Sequence, residues 1–138
     1  MLVDSQKAVE KIKIFQNSDV MHVLIVDDDE DIIVILEFRL KKAGYSITVA
    51  KDGNAALQAV RSSKPDLILI DLNIPAPNGK EVCETIKKDA ALSSIPIILL
   101  TGASSAAKEN VPADSCVMKP YEWPDLEKEI NKLVSSKT

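Results

Sequence analysis

The chain has 138 residues, enough for one domain with a substantial core, and no segment repeats at a fixed period. Lys and Arg total 17 against 21 Asp and Glu, and the net charge of -4 argues against the basic footprint of a nucleic-acid binder. No apolar run reaches membrane-spanning length and the N-terminus lacks the apolar core of a secretory signal, so a cytoplasmic protein that engages neither membrane nor nucleic acid is expected.

The first 20 residues read as an N-terminal extension. Within "SQKAVEKIKIFQ", Ala8, Val9, Ile12 and Phe15 share one helical face, while "KIKIF" also alternates as a strand would, so the segment is expected to be helical or disordered. A single domain is expected over residues 21–135, with a tail at 136–138. Strands are predicted at His22 to Asp27, Tyr45 to Ala50, Leu67 to Asp71, Ile95 to Thr101 and Ser115 to Met118. Helices are predicted at Glu30 to Ala43, Asn54 to Ser62, Gly79 to Asp89, a short one near Ser104 to Asn110, and Pro124 to Val134. Gly44 stands where a helix C′ residue belongs, and Pro124 suits a first helical turn. The alternation implies an α/β protein with a parallel sheet, and "LILI" and "PIILL" lack the alternation of half-exposed strands, as strands covered on both faces should. The first helix carries two apolar stripes. Ile33, Leu36, Leu40 and Ala43 are expected to face the sheet, leaving Val34, Ile35 and Phe38 on the far side.

In an open parallel sheet, binding sites form beyond the carboxyl ends of the strands. Asp27 and Asp28 follow the first strand, Asp71 ends the third, Thr101 ends the fourth and Lys119 follows the fifth. If these strand ends converge, three carboxylates face one hydroxyl and one ammonium. That set suits a hard divalent cation, with Mg²⁺ favoured because it takes few carboxylates and keeps waters alongside phosphate oxygens. Asp71 stands apart from the paired acids and is the better nucleophile, able to form an acyl phosphate. Lys119 and Thr101 can then neutralise and hydrogen-bond a phosphoryl group. Asp29, Glu30 and Asp31 read as acids of the first helical turn, with Asp28 or Asp29 as N-cap. Cys83 and Cys116 have neither metal spacing nor disulfide density and read as reduced packing residues.

Taken in order, Asp27-Asp28, Asp71 within "PDLILIDLNIP", Thr101-Gly102 and Lys119-Pro120 resemble the signature of response-regulator receiver domains of two-component signalling, including the chemotaxis regulators, over about Val23 to Val134. The resemblance implies a flavodoxin-like three-layer fold, a five-stranded sheet in the order 2-1-3-4-5 with helices on both faces. It implies phosphorylation of Asp71 by a histidine kinase or histidine phosphotransfer protein. Asp27, Asp28 and Asp71 would hold Mg²⁺ together with the Asn73 backbone carbonyl, which the turn "NIPAPNG" would stiffen. It further implies a signalling phosphoacceptor rather than a conventional enzyme, limited to self-catalysed phosphotransfer and autodephosphorylation. Such a protein would act on a downstream protein target as a monomer or weak dimer.

Two other function classes fit the same residues less well. A receiver-fold adaptor working without phosphorylation would be expected to lack part of the acid, threonine and lysine set, which is complete here. An aspartate-nucleophile phosphatase would use Asp27 and Asp29, leaving Asp71 without a role. Two departures from the family pattern stand out. The stretch between Thr101 and Lys119 is short and holds Pro112, so the fourth predicted helix should be short or irregular. Three residues before Lys119, where many members carry an aromatic ring that turns on activation, stands Cys116.

Overall fold

The computed structural model describes residues 20–102 and 110–135. The N-terminal extension before Val20, the fourth predicted helix before Asn110 and the tail lie outside the described residues. The remaining elements follow in the expected order: β1 (His22–Val26), α1 (Glu30–Lys42), β2 (Ser46–Ala50), α2 (Gly53–Ser63), β3 (Leu67–Asp71), α3 (Gly79–Lys88), β4 (Ile97–Thr101), β5 (Ser115–Met118) and α4 (Trp123–Ser135).

The five strands form one parallel sheet in the order β2-β1-β3-β4-β5. Alternate residues of each strand point to opposite faces, and both faces are apolar. Leu24, Val26, Ile68, Ile70, Ile97 and Leu99 join Ala56 and Val60 of α2 and Val82, Cys83 and Ile86 of α3 in one core. Val23, Ile25, Leu67, Leu69, Ile98 and Leu100 join Leu36 and Leu40 of α1 and Leu126 and Ile130 of α4 in the other. This explains the unbroken "LILI": no side of β3 faces water. Each large aliphatic side chain so buried contributes about 1.5–3 kcal/mol.

Local chemistry sets the helix ends. Asp29 caps α1, its carboxylate accepting from Asp31 N at 2.9 Å and Ile32 N at 3.4 Å. The helix closes at Ala43, followed by Gly44 at φ 100°, a left-handed turn that suits glycine. Asn78 and Glu81 form a reciprocal capping box at the start of α3.

Three predicted strands are shorter than expected. The Tyr45 N–H donates back to Leu40 O, which keeps it in the turn after α1, and Ile95 N likewise donates to Leu92 O. Asp27 lies just past β1, although its N–H still reaches Ala50 O at 3.1 Å. The inner stripe of α1 also ends sooner than predicted: Ile33, Leu36 and Leu40 are buried, but Ala43 is exposed at the helix cap. The outer stripe stands as expected, with Val34, Ile35 and Phe38 each about 60% exposed. Cys83 is a packing residue, whereas Cys116 is exposed on the edge strand β5 and is not.

Candidate phosphoacceptor site

The sheet register sets the site. Val26 pairs with Ile70, so the next residues, Asp27 and Asp71, leave β1 and β3 side by side. Thr101 closes β4 opposite Met118, and the following Lys119 donates its backbone N–H to Thr101 O at 2.9 Å. Four of the sequence-predicted residues therefore gather at one carboxyl edge of the sheet. Asp27 and Thr101 are fully buried there.

The Lys119 ammonium joins the two acids. Its Nζ lies 2.9 Å from Asp71 Oδ2 and 3.4 Å from Asp27 Oδ2. The other oxygen of each acid is fixed in the same way: Asp27 Oδ1 accepts from Asp29 N and Asp71 Oδ1 from Asn73 N, both at 2.9 Å. These are paired Asx turns, in which a short carboxylate takes the backbone N–H two residues on. They hold both carboxyl groups at the strand ends instead of letting them swing into solvent. A carboxylate has about four acceptor positions, so each oxygen keeps capacity for a further ligand.

Burial pushes the Asp27 carboxyl above its ordinary range, aided by the neighbouring Asp71 charge and opposed by the Asp29 N–H and by Lys119. Burial alone would lower the Lys119 pKa, but its hydrogen bond to Asp71 and the charges of both acids outweigh this and raise it. Lys119 is therefore a cation at neutral pH. The crowding of acids after β1 is relieved by this ammonium, by open water around Asp28 and by the amino end of α1 next to Asp29.

Asn73 is exposed between two buried anchors, Leu72 and Ile74, and Gly53 N donates to Pro75 O at 3.1 Å. The loop after β3 is thus pinned on both sides of Asn73. Among the described residues no three acidic, histidine or cysteine side chains lie close enough to cage an ion. Mg²⁺ does not require such a cage, since it binds through one or two carboxylates, waters and phosphate oxygens. A buried carboxylate, a second acid beside it and the exposed Asp28 and Asn73 form an all-oxygen set that fits it.

Two aromatic residues near the site were not anticipated. A groove of about 540 Å³ runs from Lys119 between α1 and the start of α4, lined by Ile32, Ile35, Leu36, Tyr121 and Trp123. The charges of Lys119, Asp27 and Asp71 act on Tyr121, and burial raises its phenol pKa. The run "KPYEW" held the signal: two rings directly after the site lysine.

Residues 23–131 match the family model described as the response regulator receiver domain. The chain belongs to this family. Solved receivers have the same fold. The receiver domain of a signal transduction histidine kinase from Syntrophus aciditrophicus is 28% identical at TM-score 0.81, over 85% of this chain and 92% of that one. The chemotaxis response regulator CheY4 of Vibrio cholerae is 29% identical at TM-score 0.76, over 83% and 98%. The response regulator TrrA of Thermotoga maritima, solved in complex with Mg²⁺-BeF, is 32% identical at TM-score 0.76, over 83% and 99%. This receiver therefore has the flavodoxin-like architecture expected from its sequence. Among its described residues no helix is long and apolar enough to cross a membrane.

Proposed function

We propose that this receiver accepts a phosphoryl group on Asp71 in a Mg²⁺-dependent reaction and signals through the resulting change at the sheet edge. The observation that carries the reading is the Lys119 ammonium held between Asp71 and Asp27. Asp27, Asp28, Asp71 and the Asn73 carbonyl would hold the ion, which when bound neutralises phosphoryl oxygens. An Asp71 carboxylate oxygen forms the new O–P bond as the P–N bond of a phosphohistidine breaks, and the imidazole departs with the electron pair. Lys119 offsets charge on the phosphoryl oxygens, and the Thr101 hydroxyl, one strand away, donates a hydrogen bond to one of them. Dephosphorylation uses the same groups: water forms a new O–P bond as the bond to Asp71 breaks, inorganic phosphate leaves and the carboxylate is regenerated, so the protein is a self-dephosphorylating phosphoacceptor and not a conventional enzyme.

The phosphodonor is a histidine kinase or histidine phosphotransfer protein, and the exposed Val34, Ile35 and Phe38 of α1, next to the groove, suit a helical surface of that partner. Incubation with phosphoramidate and Mg²⁺ should add one phosphoryl mass to the wild type and none to Asp71→Asn. Equal labelling of the variant, or labelling indifferent to chelator, would overturn the assignment. An adaptor working without phosphorylation would leave the wild type unlabelled.

A further inference from the structure

Among the described residues, three of the four exposed large hydrophobic side chains, Val34, Ile35 and Phe38, lie on the outer stripe of α1. Val34, Ile35 and Phe38 are 62%, 59% and 62% exposed and, being one and three or four positions apart, form a continuous strip. At the amino end of the strip stand the exposed acids Asp28, Asp29, Glu30 and Asp31. Phe38, toward the carboxyl end, has the Lys42 ammonium over its ring at 5.8 Å.

The described chain begins close to this helix. Met21 O accepts from Ser46 N at 3.0 Å, and Ser46 lies three residues beyond the Ala43 cap of α1. The backbone before Met21 therefore leaves the fold beside the carboxyl end of α1. Phe38 is five residues up that helix and Val34 nine, about 7 and 14 Å along its axis. The strip lies across a helix diameter of about 10–12 Å from the side that packs on the sheet. The six residues 15–20 span up to about 21 Å when extended, so Phe15 is within reach of the carboxyl end of the strip and residues 8–12 within reach of the rest. Apolar and charged positions match in the same order. Ala8, Val9, Ile12 and Phe15 supply apolar side chains, and Lys7, Lys11 and Lys13 outnumber the single Glu10, a charge opposite to that of the acidic amino end of α1.

We infer that residues 8–15 occupy the outer face of α1 within the same molecule, setting Ile12 and Phe15 against Val34, Ile35 and Phe38. The segment covers the face assigned above to the phosphodonor, so its consequence, competition with that partner, rests on the proposed function. The docking itself does not. The test uses the full chain and the backbone amide resonances of α1. In Ile12→Asp the resonances of Val34, Ile35 and Phe38 should move from their wild-type positions, equally at low and high protein concentration. In Phe38→Asp, an exposed substitution that leaves the core intact, resonances of residues 8–15 should move in turn. Unmoved α1 resonances in Ile12→Asp would overturn the inference. So would wild-type positions that change on dilution, because the occupant would then be a second copy of the chain. Phosphorylation by phosphoramidate, which needs no docked partner, should be unchanged in Ile12→Asp. If the wild type is not phosphorylated at all, the function above fails while the docking result stands.

Discussion

Lys119 lies 2.9 Å from Asp71 although 48 residues separate them, and the same ammonium reaches the buried Asp27 at 3.4 Å. One cation thus offsets two acids that would otherwise repel at the end of adjacent strands. Removing it should disable the chemistry more than the fold. Lys119→Met is expected to slow phosphorylation by phosphoramidate about 10²-fold, the size of effect seen when one preorganised charge-stabilising group is lost. Initial rates by intact mass, beside circular dichroism of the same sample, measure it. A rate equal to wild type would remove Lys119 from the reaction.

The loop after β3 is positioned by close backbone approach. A Cβ on Gly79 would stand 2.5 Å from Asp71 O and 2.7 Å from Leu72 Cα. Gly79 also donates its N–H to Leu72 O at 3.0 Å, so the start of α3 is tied to the backbone next to Asp71. Helix propensity favours Ala over Gly by up to about 1 kcal/mol, while forced overpacking costs about 1–3 kcal/mol. Because the clashing atoms are backbone, the clash should win. Gly79→Ala is expected to lower stability in urea unfolding and to slow Asp71 phosphorylation with it; a stabilised variant would refute the contact argument.

Much of this arrangement was legible in the sequence because the strands are short, apolar on both faces and end in polar residues. "LILID" places Asp71 at a strand end with little freedom for another reading, and the register of β1 and β3 then sets Asp27 beside it. The resemblance to receivers supplied the strand order, which periodicity alone does not contain. Other features depend on contacts across the fold. The Asx turns at Asp27 and Asp71 need the observed turn geometry. The Lys87 ammonium, which holds Ser93 O, Ile95 O and Asp114, reads in the sequence only as a surface charge. The exposure of Cys116 follows from β5 lying at the sheet edge, a property of strand order and not of "SCVM" itself.

The two cysteines should behave differently. Cys83 is fully buried between α3 and the sheet, and burial pushes its thiol up to about 12. Cys116 is exposed. A thiol reagent at pH 8 is expected to modify one cysteine in the native chain and both after denaturation. The linked stability effect has a definite sign. The unfolded thiol releases its proton near 9.0 and the folded one only near 12, so the native state binds more protons between these values. Stability from Cys83 is therefore complete below pH 9 and falls as pH rises through that window. Cys83→Ala should flatten this alkaline loss, as read by urea midpoints across pH; an unchanged slope would assign the loss to other groups.

Activation in this receiver should not require a ring on β5. In the family's usual scheme the threonine moves toward the phosphoryl group and an aromatic side chain three residues before the lysine fills the space left. Cys116 holds that position here, exposed and small, with little packing area to gain from a new rotamer. A ligand shifts a conformational equilibrium only through contacts that differ between states, and those available here lie closer to the site. Lys119 N is bonded to Thr101 O, so movement of Thr101 pulls directly on the segment that carries Tyr121 and Trp123 into α4. Beryllofluoride, standing in for the phosphoryl group, should therefore change the fluorescence of Trp123, the single tryptophan of the chain. The same change is expected in Cys116→Ala and is expected to vanish in Thr101→Ala. Loss of the response in Cys116→Ala would show that the β5 position still transmits the signal without its ring.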